Sequence, residues 1–358
     1  MGRRRDVFLK TGASNTDTPW FLSCFARAHD LGQHQALAPI VARFSRVVVD
    51  PTGATSWSRD SVAATPGWHV ASATTGSPSP LEQEIAQLQP AFAIIMFGTN
   101  DVGITGVATF EQRMTDLVRS LADQGIVPIL NTIPPRADDV RWERETRALN
   151  QVLRAIARSE DLPLLDVYAA VVDLPGHALQ ADGIHLSPGV PGSCQLTGAN
   201  LERGFPVRNL VTLEALARLA EAETATGALD PAPAITGTGT PADPYRATLP
   251  LAWTDDTTGG ATSIESYDCA PATDESGPER WLAFEVPRAA TLRFAIYDRD
   301  ADIDLHVMQA GAPMCLGRDD KTLDLALQPG SYRLALDSFV SGGAVHQGWF
   351  RAIAVELP

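Results

Sequence analysis

Three short polar segments carry the residue types that nucleophilic catalysis requires. Ser14 lies in segment 12–16, between a predicted strand and a predicted helix, where a serine hydroxyl and its backbone N–H are both exposed. Asn100 follows the most apolar run of the chain, and its amide is a suitable donor to an oxyanion. Asp182 and His185 are three residues apart, a spacing at which the carboxylate can hold the imidazole in one tautomer.

Each of these segments also fits a structural role when it is taken alone. Ser14 could simply cap a helix, Asn100 could belong to a turn, and His185 could be a structural histidine. All three, however, follow predicted strands, and the carboxyl ends of parallel strands are where sites form in open sheets. Polar residues at such strand ends are therefore candidates for a site.

The first 225 residues alternate short apolar runs with helical patterns, which predicts a parallel sheet covered by helices on both faces. We predict strands at 7–9, 46–50, 91–97, 126–133 and 162–167. We predict helices at 20–28, 110–123, 140–158 and 209–224.

The order of these segments resembles that of the SGNH/GDSL hydrolases. In that family a serine follows the first strand, a Gly-x-Asn-Asp segment follows a central strand, and an Asp-x-x-His segment lies near the end of the domain. Segments 98–101 and 182–186 match closely, and segment 132–136 resembles the family's stretch after the next strand. The resemblance covers about residues 5–225 and implies a flavodoxin-like three-layer α/β/α fold and the hydrolysis of esters.

The same resemblance implies the roles of the catalytic residues. Ser14 would attack the ester carbonyl, His185 would act as the base, and Asp182 would orient His185. No metal ion and no organic cofactor is expected for this chemistry. His177 is the nearest rival of His185, but it has no carboxylate at a matching spacing, so we place it at most on the rim of the site.

The implied oxyanion hole consists of the Ser14 N–H, the Asn100 side chain and the N–H of a glycine after the second strand. Gly67 is the best candidate for that glycine, and Gly53, which lies nearer the predicted strand, is its rival. One position departs from the family, which has aspartate before the nucleophile where this chain has Ala13. The departure puts the rigidity of the nucleophile turn in question.

Residues 226–244 are rich in glycine, proline, threonine and alanine, and we predict that they link a catalytic domain at 1–225 to a second domain at 245–358. The second domain has short alternating runs separated by turn signals, which predicts a small antiparallel β-sandwich. Segments 302–307 and 327–332 resemble the bacterial pre-peptidase C-terminal domain. The alternating aspartates at 298, 300, 302 and 304 are interpreted as a solvated face, with calcium binding as the alternative.

A net charge of −15 argues against nucleic acid as a partner, and no apolar run approaches the length of a membrane span. Each half of the chain has two cysteines, which permits one disulfide in each domain, with four free thiols as the alternative. We hypothesise a Cys24–Cys194 pair. Disulfides favour an oxidising compartment, so we expect a secreted, periplasmic or cell-surface protein whose signal segment has been removed.

The leading prediction is thus an esterase for small acyl esters, with acylated carbohydrate as one substrate class. A lipase or acyltransferase on the same residues is the first alternative. A non-catalytic binding protein derived from a hydrolase is the second, with Ala13 as the sign of decay. In either case the β domain could bind a polymer or a cell surface.

Overall fold

The computed structural model describes residues 2–190, 192–223, 236–311 and 314–358. The chain divides into two compact units at 1–227 and 228–358. Residues 226–235 of the predicted linker lie outside the described residues. The rest of that segment, 236–244, belongs to the second unit and is hydrogen-bonded to its strands. The Gly239 carbonyl accepts from the Trp281 N–H (3.0 Å), and the Pro241 carbonyl accepts from the Arg333 side chain (3.0 Å).

The first unit has a parallel sheet with helices packed against it, as the sequence predicts. Its four strands lie in the order β1-β2-β3-β4 and all pair in parallel. These strands are β1 (Arg4–Gly12), β2 (Pro90–Met96), β3 (Val127–Asn131) and β4 (Leu164–Leu165). The helices are α1 (Ala38–Ser45), α2 (Val70–Thr74), α3 (Pro80–Leu88), α4 (Val107–Asp123), α5 (Val140–Ser159), α6 (Val167–Val171) and α7 (Gly204–Ala222). No helix in the described part of the chain is long and apolar enough to cross a membrane.

The predicted strand at 46–50 is wrong, because another segment covers that edge of the sheet. The Phe8 N–H of β1 donates to the Ser56 hydroxyl (3.0 Å), and the Gly12 N–H donates to the Ala63 carbonyl (3.3 Å). The Val49 N–H instead closes a local turn onto the carbonyl of residue 54 (2.8 Å). The hydrogen-bonding groups at this edge of β1 are thus satisfied by an irregular segment, and not by the β-branched residues 46–50.

The predicted helix at 20–28 is also wrong, since only Ser23–Ala26 form a short 3₁₀ helix. Leu22 just before it has a left-handed backbone (φ 63°). The Asn209 side chain, which comes from α7, accepts from the Leu22 N–H (3.0 Å) and donates to the Trp20 carbonyl (3.0 Å). A contact between residues far apart in sequence therefore overrides the local helical pattern.

The second unit consists mostly of antiparallel strands in two main sheets, as the sequence predicts. One sheet has the order β10-β9-β12-β7-β5 and the other β11-β8-β15-β6. Their strands are β5 (Tyr245–Arg246), β6 (Leu251–Asp256), β7 (Glu279–Val286), β8 (Ala290–Asp298), β9 (Ile303–Gln309), β10 (Cys315–Asp319), β11 (Thr322–Leu327), β12 (Gly330–Ser338) and β15 (Trp349–Leu357). A two-stranded ribbon of β13 (Val340–Ser341) and β14 (Ala344–Val345) completes the unit. Side chains from both main sheets, such as Phe284 of β7 and Phe294 of β8, share one apolar core.

All four cysteines are paired, and the hypothesised Cys24–Cys194 disulfide is confirmed. The second disulfide joins Cys269 to Cys315 within the β unit. The first bond ties the short 3₁₀ helix near the N terminus to the chain beyond His185, across 170 residues.

We expect the Cys24→Ala/Cys194→Ala double variant to lose about 2–5 kcal/mol of unfolding free energy, because the disulfide removes loop entropy from the unfolded chain. Urea unfolding of the two proteins measures the difference. The Cys269→Ala/Cys315→Ala variant serves as the control, since its loop of 46 residues lies in the other unit. An unchanged unfolding transition of the first unit in Cys24→Ala/Cys194→Ala would contradict the expectation.

Candidate active site

Ser14 lies on a tight turn directly after β1. The Ala13 carbonyl accepts from the N–H groups of Thr16 (2.7 Å) and Asp17 (2.8 Å), which closes the turn. A Cβ on Gly12 would lie 2.5 Å from the Met96 carbonyl oxygen, so the strand can pack here only with glycine. The turn therefore remains closed through its backbone, although alanine stands where the resembling family has aspartate.

The Asp182 and His185 side chains form one hydrogen-bonded chain with Ser14. Asp182 Oδ1 accepts from the backbone N–H groups of Ile184 (2.9 Å) and His185 (3.0 Å). Asp182 Oδ2 lies 2.6 Å from His185 Nδ1, and His185 Nε2 lies 2.9 Å from Ser14 Oγ. Partial burial raises the pKa of Asp182, but the hydrogen bonds from His185 and Ile184 outweigh burial and leave this pKa below its usual value. The carboxylate therefore stays ionised beside the imidazole at neutral pH.

Asn15 connects the nucleophile turn to the histidine turn. Its side-chain oxygen accepts from the N–H of Leu186, the residue after His185 (3.1 Å). This contact joins positions 171 residues apart and fixes the two turns relative to each other. The sequence pattern indicates only helix capping for Asn15 and does not reveal this connection.

Arg208 of α7 supports the same turn and was not predicted. It is completely buried, and its guanidinium donates to the Asn15 carbonyl, to Thr16 Oγ1 (3.3 Å) and to Asn131 Oδ1 (3.3 Å). The guanidinium also lies over the Phe21 ring, 3.6 Å from its centroid. Burial lowers the pKa of Arg208 well below its usual value. The guanidinium thus binds neutral oxygen acceptors, two of which belong to the turn of Ser14.

The predicted oxyanion donors lie on loops that are bonded to the nucleophile turn and to each other. Asn100 Nδ2 donates to the Trp68 carbonyl (2.9 Å), next to Gly67. The Thr65 N–H donates to the Gly12 carbonyl (3.3 Å), which ties the same loop to the end of β1. Asp101, the residue after Asn100, is buried and accepts from the Thr105 hydroxyl (2.8 Å), so it has a structural role in this turn.

Gly53 and Gly67 differ in whether their N–H groups are occupied. The Gly53 N–H donates to the Asp50 carbonyl (3.2 Å) within a local turn. The N–H groups of Gly67 and Ser14 have no acceptor among the described residues. Gly67 has φ 83°, a conformation that favours glycine. These contacts favour Gly67 over Gly53, and the role of Gly67 stays a prediction.

The two other segments singled out in the sequence lie apart from the hydrogen-bonded chain. His177 is exposed, and its Nδ1 is hydrogen-bonded to the Val172 carbonyl. Arg136 donates to the Thr99 carbonyl (3.0 Å), so it braces the turn that carries Asn100. Neither residue has a hydrogen bond to the serine or the histidine of the site in the described structure.

We expect Asn100→Ala to lower kcat for an ester by about 10²–10³-fold with a smaller change in KM, because an oxyanion donor acts mainly in the transition state. Initial-rate kinetics with p-nitrophenyl acetate measures both constants. Thr105→Val is the matched control, since it removes the neighbouring contact with Asp101 and leaves the amide in place. Equal losses in the two variants would mean that the loop structure, and not the amide, is what matters.

A polar cavity of about 640 Å³ lies beside the nucleophile turn. Its charged lining consists of three basic and three acidic residues, namely Lys10, Arg27, Arg59, Asp17, Asp50 and Asp60. Its hydroxyl lining consists of Thr16, Thr18, Ser23, Thr52, Ser58 and Ser61. Lys10 is buried, donates to the Trp57 carbonyl (3.1 Å), and has its pKa lowered to about 8 by burial.

A serine, a histidine and an aspartate in one hydrogen-bonded chain, at the carboxyl end of a parallel sheet, are typical of the serine hydrolase class. Residues 31–189 match the model of the GDSL-like Lipase/Acylhydrolase family. The matched segment contains Gly67, Asn100, Asp182 and His185 and begins after Ser14. Residues 31–189 of the first unit are therefore similar to the GDSL-like acylhydrolases, and the protein is a serine ester hydrolase.

Solved structures are similar to each unit separately. A catalytic mutant of an acetylxylan esterase from Geobacillus stearothermophilus is 18% identical, with 60% of this chain and 95% of that chain covered and a TM-score of 0.39. The lipase/acylhydrolase from Enterococcus faecalis is 20% identical, with 60% and 97% covered and a TM-score of 0.37. The pre-peptidase C-terminal domain of a Bacillus anthracis collagenase is 9% identical, with 30% and 91% covered and a TM-score of 0.22. A search of the curated proteins finds no match.

Proposed function

We propose that the protein hydrolyses small acyl esters, with Ser14 as the nucleophile, His185 as the general base and Asp182 as the group that orients the imidazole. The observation that carries the proposal is the continuous chain of two short contacts, Asp182 Oδ2 to His185 Nδ1 (2.6 Å) and His185 Nε2 to Ser14 Oγ (2.9 Å). Both distances are within hydrogen-bond reach, as proton transfer between these groups requires.

The proposed reaction has two half-reactions. Ser14 Oγ attacks the ester carbonyl carbon while His185 Nε2 takes the hydroxyl proton, and the imidazolium then gives this proton to the departing alcohol. A water molecule next attacks the acyl-serine with His185 again as the base, and the carboxylic acid leaves. The ionised Asp182 stabilises the imidazolium in both halves.

The oxyanion that forms in each half-reaction would be bound by the N–H groups of Ser14 and Gly67 and by the Asn100 amide. The unoccupied N–H groups and the bond from Asn100 to the Trp68 carbonyl support this assignment. Asn100 has a second amide hydrogen that this bond does not use. The closed backbone turn at Ala13 supports an active enzyme over a decayed one.

We propose acylated carbohydrate as the substrate class within this activity. The cavity beside the nucleophile turn supports it, because equal numbers of acidic and basic groups among many hydroxyls suit a neutral ligand with many hydrogen-bonding oxygens. The acyl-chain length that the enzyme prefers separates this proposal from the lipase alternative.

Hydrolysis of p-nitrophenyl acetate, butyrate and octanoate, together with acetylated xylo-oligosaccharides, tests the activity and its substrate class. We expect kcat/KM to fall from acetate to octanoate and acetate to be released from the sugars. Preference for octanoate would favour the lipase alternative. Transfer of the acyl group to an added alcohol, in place of water, would favour the acyltransferase. No turnover of any ester would contradict the proposal.

We also propose that the protein works in an oxidising compartment outside the cytoplasm. The two disulfides support this, because such bonds persist where thiols are not kept reduced. Binding of a polymer or cell surface by the β unit remains a prediction. Pull-down of the full chain by insoluble polysaccharide, compared with residues 1–225, measures that binding.

A further inference from the structure

The β unit contains a buried group of potential metal ligands that is separate from the candidate active site. Asp304 and His306 are two residues apart on β9, so their side chains point to the same face of the strand. Glu275 precedes β7 and lies against that face. All three are at most 1% exposed, which contradicts the interpretation of Asp304 as part of a solvated face.

Two of the three residues, Glu275 and His306, have potential ligand atoms without a hydrogen bond. Neither carboxylate oxygen of Glu275 has a partner among the described residues, and the same holds for His306 Nε2. His306 Nε2 points at Glu275 Oε1 from 3.3 Å. The Tyr267 ring stacks on the imidazole at 3.7 Å between centroids and fixes the direction of Nε2. A buried carboxylate and a buried ring nitrogen that form no hydrogen bond are costly, and a bound cation would satisfy both.

The spacing of these atoms suits coordination of one cation. One ligand atom from each of Glu275, Asp304 and His306 lies within 4.8 Å of the other two. The 3.3 Å between Glu275 Oε1 and His306 Nε2 is close to the ligand–ligand edge of a tetrahedron with metal–ligand bonds of about 2.0–2.1 Å. Three protein ligands leave the fourth corner for water.

The acidic groups at this site are accompanied by one neighbouring cation among the described residues, so the local charge favours the binding of a further cation. Glu279 lies beside the group and accepts from the Tyr267 hydroxyl (3.4 Å). Asp337 also accepts from this hydroxyl (2.8 Å), but burial raises its pKa to about 10, so it adds no charge at neutral pH. The neighbouring cation is Arg318, whose Nε lies 3.8 Å from Glu275 Oε1 and whose Nη2 contacts Asp304.

Arg318 is also able to move when a cation enters. Its side chain is 24% exposed, and its Nη1 already pairs with Asp320, whose side chain is 58% exposed. The guanidinium can thus turn towards Asp320 and release the Asp304 oxygen.

We propose that Glu275, Asp304 and His306 bind one zinc-type divalent cation in the β unit. The imidazole nitrogen favours zinc over calcium, which prefers oxygen ligands only. The cation would fasten the segment that carries Tyr267 and Glu275 to β9, and so it would stabilise the β unit. This site is independent of the proposed esterase activity.

Zinc titration of the full chain tests the proposal, after treatment with EDTA and dialysis without reductant, so that the Cys269–Cys315 disulfide stays intact. We expect one zinc per chain by metal analysis. We also expect the Tm of the β unit to rise by about 5–10 °C at zinc 100-fold above its Kd. An equal concentration of calcium should have no such effect, and an equal response to calcium would overturn the zinc assignment.

Glu275→Gln provides the variant arm, with Glu285→Gln, an exposed residue of β7, as the matched control. We expect Glu275→Gln to lose the saturable site while its metal-free Tm stays equal to or above that of the wild type, because a buried carboxylate that accepts no hydrogen bond is removed. Glu285→Gln should bind zinc like the wild type. Equal zinc binding by Glu275→Gln and the wild type would overturn the proposal, as would a lower metal-free Tm with no zinc response in either protein.

Discussion

Replacing Ser14 by alanine is expected to lower kcat/KM for p-nitrophenyl acetate by about 10⁴–10⁶-fold, close to the background rate. The variant lacks the oxygen that forms the acyl-enzyme, while the oxyanion donors and His185 remain. His185→Ala should lose a similar factor, because the 2.9 Å contact from its Nε2 to Ser14 Oγ is the path by which the proton leaves the nucleophile.

The double variant Ser14→Ala/His185→Ala gives the sharper form of this expectation. Because the two residues act as one unit, the double variant should be scarcely less active than either single variant. Ser45→Ala is the control, since its hydroxyl only bonds the Val41 carbonyl of its own helix α1. Retention of more than about a tenth of the wild-type activity in Ser14→Ala would contradict the proposed nucleophile.

Replacing Arg208 by methionine is expected to lower the free energy of unfolding by about 2–4 kcal/mol, because buried acceptors on Asn15, Thr16 and Asn131 lose their donor. Urea unfolding of the variant measures this loss. Arg203→Met is the matched control, since Arg203 immediately precedes α7 and is exposed. An unchanged unfolding free energy in Arg208→Met would contradict the expectation.

Arg208 is a positioning residue, so its effect on catalysis should differ from a simple loss of stability. Well below the unfolding temperature, we expect Arg208→Met to lower kcat by about 10-fold or more with little change in KM, because the Ser14 turn shifts by fractions of an ångström. Arg208→Lys should restore part of the kcat, since an ammonium can reach one of the three acceptors. A change confined to Tm would mean that Arg208 has only a structural role.

The sequence singles out the three residues of the hydrogen-bonded chain because short local segments carry them and the order of these segments resembles that of the SGNH/GDSL hydrolases. Asp182 and His185 are three residues apart, so their contact needs only one turn, and Ser14 follows a recognisable strand. The buried strand β2 was predicted for a similar reason, since a continuous apolar run of this length is typical of a central parallel strand. These features depend on residues within one segment.

The features that were missed depend on contacts between distant segments. Arg208 reaches the Asn15 carbonyl across 193 residues, and Asn209 holds Leu22 in a left-handed conformation across 187 residues. The sequence signal for Arg208 is an arginine among apolar neighbours near the start of α7. This signal does not show which residues the arginine contacts. The predicted strand at 46–50 failed likewise, because residues 56 and 63 occupy the β1 edge. No local sequence pattern shows which segment forms hydrogen bonds with the edge strand of a sheet.

Labelling by a serine-directed fluorophosphonate, with the modified peptide identified by mass spectrometry, tests the central claim most directly. Only an activated serine reacts quickly with such a probe. We predict one label per chain, on Ser14, and no label on the His185→Ala variant, in which the proposed base is missing. Labelling of a different serine, or no labelling of the folded wild type, would contradict the assignment of Ser14 as the nucleophile.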